Sequence, residues 1–125
     1  MTEKQKQQRN VRLMEDIIKY CGDHELLTDI VFYVNGHQYK VDPTPNATPI
    51  NTGKYPYYDC GPFDVTQIEY SNPDTLTMTF EGPLYEMYNG YFGTYDTEEA
   101  IRTLADKYDL YPEQGFAWSL SMYEQ

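Results

Sequence analysis

The sequence is poor in the groups that carry most enzymatic and metal chemistry: it has two histidines, His24 and His37, two cysteines, Cys21 and Cys60, and one tryptophan, Trp118. Neither histidine stands at a metal-ligand spacing, and there is no C-x-x-C, H-E-x-x-H, calcium-loop or G-x-G-x-x-G pattern. Thr52-Gly53-Lys54 shares letters with a phosphate-binding loop but lacks the earlier glycine that such a loop requires. These absences lead us to expect neither an enzyme nor a cofactor or metal. No apolar run is long enough to span a bilayer, and the polar start MTEKQKQQRNVR has no hydrophobic segment of a secretory signal. The expectation is therefore a cytoplasmic protein whose cysteines are free thiols and whose Asn46-Ala47-Thr48 sequon is idle.

Basic residues are scarce too: nine Lys and Arg face twenty Asp and Glu, for a formal charge of −11. The imbalance is uneven. Residues 1–19 hold five of the cations against three acids, whereas residues 20–125 hold four against seventeen. A body at that charge repels nucleic acid and anionic membrane and attracts basic partners. At 125 residues the chain has the size of one domain, and it carries neither an internal repeat nor a linker, so residues 1–125 read as a single unit.

What is abundant is tyrosine, fourteen in all. Along the chain, Val11, Met14, Ile17, Ile18 and Cys21 recur at helical spacing and predict a helix over about 5–21 that Gly22 stops, with residues 1–10 fraying. Asp29–Val34 and His37–Val41 flank Asn35-Gly36, the strongest hairpin signal present. That reading places Ile30, Phe32 and Val34 on one face and His37, Tyr39 and Val41 on another. Residues 42–63 hold five of the eight prolines and predict a long loop. Val65–Tyr70 and Thr75–Phe80 read as a second hairpin around Ser71-Asn72-Pro73-Asp74. Gly82-Pro83 opens a short helix, and Asp96 with Glu99 reads as the capping box of a third, which carries Ile101, Leu104, Ala105 and Tyr108. A last strand carries Phe116, Trp118, Leu120 and Met122. The expected fold class is α+β, a mostly antiparallel sheet of about five strands with an N-terminal helix and two helices before the last strand.

Candidate chemistry is thin. His24 follows a helix C-terminus, where an imidazole complements the dipole, and His37 is placed to hydrogen-bond across the hairpin. A Cys60–histidine pair and a Glu81–Glu86 dyad are the minor catalytic alternatives. The aromatic excess points instead to binding, because tyrosine offers a rigid face and a polar tip. Tyr85, Tyr88, Tyr91, Phe92 and Tyr95 crowd the short element after Phe80. Phe80, the helix start at Gly82-Pro83 and Asn89 together supply a stacking face, free N–H groups and an amide.

The run from Asn72 to Tyr85, with Asn89-Gly90, Leu110-Tyr111 and Phe116-Ala117-Trp118, resembles small phage proteins that blunt bacterial immunity, in particular the Thoeris anti-defence family of the first type. Members bind cyclic ADP-ribose signals without degrading them. The resemblance implies a homo-oligomer in the cytoplasm of a bacterial host, with a small nucleotide signalling molecule as partner, and places a base-stacking ring on Phe80 and a ligand-contacting amide on Asn89. Tyr85 and Tyr88 complete the expected pocket, and Arg102 and Lys107, the only cations of the C-terminal half, are the pyrophosphate candidates. Two alternatives stand beside it: an acidic inhibitor of anti-CRISPR type that mimics nucleic acid and binds a protein effector of a defence system, and a small cytosolic enzyme.

Overall fold

Thr2 opens the first helix: its hydroxyl accepts the Gln5 N–H at 3.1 Å while Gln5 Oε1 accepts the Thr2 N–H at 2.8 Å, a reciprocal cap. In the computed structural model, which describes residues 1–125, helix α1 then runs Glu3–Asp23. Its first turns do not fray. Arg9 and Asn10 are buried there and reach the Asp74 carbonyl at 3.3 and 3.2 Å, and Asn10 also donates to Asn35 Oδ1. Polar anchoring thus does for the first half of α1 what Leu13, Met14, Ile17, Ile18 and Cys21 do by apolar burial for the second. Gly22 lies within the helix rather than ending it, and a Cβ there would stand 2.5 Å from the Tyr55 ring. His24 is the C-cap, with Nδ1 2.8 Å from the Tyr20 carbonyl.

Strand β1 (Ile30–Val34) turns through Asn35 and Gly36, both at positive φ, into β2 (His37–Lys40), as that dipeptide predicts. The pairing sets Phe32 against Tyr39 and Val34 against His37, so the two sets of side chains share one face instead of occupying two.

Residues 42–63 are not a loop. They contain a further hairpin, β3 (Thr48–Thr52) and β4 (Tyr55–Pro62), turned at Gly53. The prolines fit because β3 is an outermost strand, where Pro49 interrupts no second ladder, and Pro56 lies outside the stretch of β4 that pairs with β2.

Val65–Tyr70 is not a strand either. The Asp64 carboxylate accepts the Thr66 N–H at 3.0 Å and starts a 3₁₀ turn over Val65–Gln67, and Tyr70 has positive φ. The second hairpin therefore does not form, and β5 (Leu76–Phe80) pairs with β1 and with the last strand of the chain, Ser119–Glu124.

Helix α2 (Pro83–Tyr88) and helix α3 (Asp96–Asp106) follow, as expected, although the α3 cap is Tyr95 and not an Asp96–Glu99 box. The chain then makes β6 (Leu110–Gln114), a strand the sequence reading missed, and β7 (Ser119–Glu124). Phe116 and Trp118 fall in the turn between them, before the strand they were expected to join.

The result is α+β with seven antiparallel strands in the order β3-β4-β2-β1-β5-β7-β6, two more than expected. One face of the sheet carries the helices. Leu13, Ile17 and Ile18 of α1, Leu84 and Tyr88 of α2 and Ile101 and Ala105 of α3 bury Phe32, Met78, Phe80 and Leu120 in a single core. No buried side-chain nitrogen or oxygen lacks a partner. No helix is long and apolar enough to cross a membrane.

Candidate functional site

The expected pocket does not assemble. Phe80 alternates with Leu76 and Met78 and points into the helix-covered core, 1 % exposed, its ring 5.7 Å from that of Tyr88. Tyr88 is 3 % exposed, and burial pushes its hydroxyl well above the usual phenol range. Neither ring offers a face to a base. Asn89 caps α2 and stitches it to the β6–β7 turn: Nδ2 donates to the Tyr85 carbonyl at 2.7 Å and the Ala117 carbonyl at 2.9 Å, while Oδ1 accepts from Gln114. Tyr85 accepts a hydrogen bond from the Tyr91 hydroxyl at 3.1 Å. Arg102 pairs with Glu98 on its own helix, and Lys107 with Asp16 of α1, 3.2 Å away. Both cations are engaged, Arg102 on α3 and Lys107 at its C-cap. The rings of this region that do face solvent are Tyr91, Phe92 and Tyr95, each more than three-fifths exposed.

The face of the sheet opposite the helices is built differently. Its centre holds Thr77 against Tyr33 and Ser121, with Val31 against Thr79 beside them. Thr77 and Ser121 are buried although no helix lies over them, because residues 63–71 cross this face as a strap. Hydrogen bonds hold its two ends. Phe63 N donates to the Gly36 carbonyl at 2.8 Å, and Ser121 Oγ donates to the Tyr70 carbonyl at 2.7 Å while remaining 2.9 Å from the Thr77 hydroxyl. The buried hydroxyls are thereby satisfied, and lifting the strap breaks the bond from Ser121 to the Tyr70 carbonyl.

Between strap and sheet lies a cavity of about 710 Å³ that is partly open to solvent. Val31, Tyr33 and Thr79 form its floor, and Phe63, Gln67 and Ile68 its wall. The Phe63 ring packs 5.0 Å from that of Tyr33. Trp118 also lines it; its indole stacks on Phe116 at 4.8 Å and 9° and remains 38 % exposed. Four carboxylates, of Asp29, Asp42, Glu69 and Glu81, also line the cavity, against the one cation Lys40. The five ion pairs of the molecule all lie elsewhere, so these four acids have no basic partner. Hydrogen bonds to main-chain groups tie three of these residues, Asp29, Asp42 and Glu81, to one another. Glu81 N donates to the Asp29 carbonyl at 3.2 Å, Asp29 N donates to Asp42 Oδ2 at 2.9 Å, and Phe80 N donates to the Trp118 carbonyl at 2.9 Å. Acids and indole thus meet where β1 begins and β5 ends.

Of the groove residues, the sequence offered Phe80 as a ligand contact, Glu81 as half of a Glu81–Glu86 dyad and Trp118 as part of the last strand, but it did not bring them together as one site. One signal was available. Tyr33 occupies an outward position of β1, in line with threonines on β5, and a large ring there implies that something covers this face.

His37 Nδ1 lies 3.0 Å from Asp59 Oδ1 on β4, the strand beyond its own hairpin, and this bond, with the Gly61 N–H, holds the Asp59 carboxyl below its usual range. Cys60 Sγ donates to the Tyr58 carbonyl and makes no bond to His37, so the cysteine–histidine pair is not formed. Both cysteines are unpaired, and burial pushes the Cys21 thiol up to about 12. No group of three or more metal-ligating side chains occurs.

Compared with known proteins, the chain matches no family model, no curated protein and no solved structure. The groove has to be read from its own chemistry.

Proposed function

We propose that this is a binding protein without catalytic activity that blocks a basic polypeptide partner by offering it the acidic groove beneath the strap. The single observation that carries the reading is the lining itself: four carboxylates without basic partners beside aromatic rings, with one lysine. Apolar and aromatic walls supply most of the contact free energy in such a site, and the few polar groups set the sign of what enters. The body charge of about −13 adds long-range attraction for the same partner. The reading shares with the acidic-inhibitor alternative of the sequence a protein partner drawn by acidic charge.

Sequestration of a cyclic nucleotide signal, which the family resemblance implies, has less to draw on. A pyrophosphate in this groove meets Lys40 and four carboxylates, and the rings and cations expected to hold it are buried or paired.

Titration calorimetry of the intact protein against a polylysine chain, and against a panel of cyclic nucleotides and cyclic ADP-ribose isomers, separates the two. The expected result is salt-sensitive binding of the polycation, abolished by Asp29→Lys with Glu81→Lys and retained by Glu99→Lys on α3, outside the groove lining. Tight binding of a nucleotide, or a polycation that ignores the groove substitutions, overturns the proposal.

A further inference from the structure

We infer that the groove is an arginine site: the partner enters with an arginine side chain whose guanidinium stacks on Trp118 and is held by Glu81 and Asp29. This rests on the basic-partner reading above and makes it specific.

One face of the Trp118 indole lies flat on Phe116, and the residue lines the groove while remaining 38 % exposed, so the second face of the ring is not covered by Phe116. The tryptophan carbonyl is bonded to Phe80 N, the residue before Glu81, and Glu81 N is bonded to the Asp29 carbonyl. Main-chain hydrogen bonds therefore bring together the residues that carry the indole and the two carboxylates, where β1 begins and β5 ends. Lys40 enters from β2, where its register partner is Val31.

A guanidinium suits this arrangement better than an ammonium does. It is planar, so it can lie against an indole. It is weakly hydrated, so it sheds water at lower cost on entering an aromatic cleft. Its fork of N–H donors can serve two carboxylates at once, which a compact ammonium does less well. The cavity exceeds the volume of one side chain, so there is room for the residues on either side of the arginine as well.

Trp118 is the only tryptophan, so its fluorescence reports occupancy of this end of the groove directly. The experiment titrates the intact protein with short lysine-flanked peptides that differ at one central residue: arginine, lysine, or the uncharged isostere citrulline. The expected result is a saturable change in Trp118 emission with the arginine peptide, binding about tenfold weaker with lysine, corresponding to about 1.4 kcal/mol, and weaker again with citrulline. Glu81→Gln should bring the arginine peptide down to the lysine level.

Equal affinity for all three peptides overturns the arginine site while leaving the basic-partner reading standing. Failure of every lysine-flanked peptide to bind overturns both. Binding by calorimetry with no change in emission places the peptide elsewhere and also overturns the site.

Discussion

The Tyr57 hydroxyl donates a 3.0 Å hydrogen bond to Glu15 Oε2, joining β4 to α1, and Thr52 donates to the same oxygen at 3.1 Å. Tyr57 is almost wholly buried. A hydrogen bond from a buried phenol to a carboxylate is among the stronger kind, so Tyr57→Phe should lower stability by about 1–2 kcal/mol. Glu15→Ala should cost more, roughly 2–3 kcal/mol, because it strips the partner from two hydroxyls at once. Urea denaturation of the three proteins checks the order, and a Glu15→Ala protein no weaker than Tyr57→Phe refutes it.

The same tyrosine sets an alkaline limit. Burial first, and the bond to Glu15 second, raise the Tyr57 hydroxyl well above the usual phenol value; burial likewise leads for Tyr88 and Tyr108. A group with its pKa raised by folding contributes its full stability below the unfolded value of about 10. That contribution drains away as pH rises from there through the folded value, since the unfolded chain then loses the proton first. Stability should therefore fall steeply above about pH 10, with delayed appearance of tyrosinate absorbance. Tyr57→Phe should make the fall shallower, and an unchanged slope would argue against the assignment.

Gly90 has φ of 72°, and a Cβ on it would stand 2.5 Å from the Tyr95 ring. Gly90→Ala should cost more than about 1 kcal/mol, combining left-handed strain with eviction of Tyr95. Because Tyr91, Phe92 and Tyr95 share this loop, its amide exchange should quicken locally while that of the sheet is unchanged. Uniform quickening would show a global effect instead.

Asn89 never touches the groove, yet it holds the Ala117 carbonyl, next to Trp118. Asn89→Ala should loosen the β6–β7 turn, shift Trp118 emission in the free protein, and weaken polycation binding several-fold with little change in its salt dependence. Loss of salt dependence would mean that Asn89 acts through charge and not through position.

How far the sequence could be read depends on whether the deciding contact is local. Asn35-Gly36 was legible because both residues must take positive φ, a property of the dipeptide itself. The stripe of α1 was legible because its period is intrinsic. The hairpin of residues 48–62 was hidden because proline excludes a strand only where a ladder bond is needed, and that depends on which neighbour lies alongside. The strap misled for a related reason: Val65-Thr66-Gln67-Ile68 has strand composition, but the Asp64 side chain supplies a competing bond and bends the chain. Phe80 carried its own warning, since it continues the Leu76–Met78 alternation into the core. The groove needed the strap and three strands together, so no window of sequence contained it.

Each rim of the sheet ends in a strand that carries a proline, Pro49 on β3 and Pro112 on β6. Such a rim lacks a donor and presents a ring where another backbone would have to dock, so it is a poor template for growth. Copies of this protein crowded together have no easy route to fibrils, and any self-assembly has to use side chains, such as the exposed tyrosine loop, in place of backbone ladders.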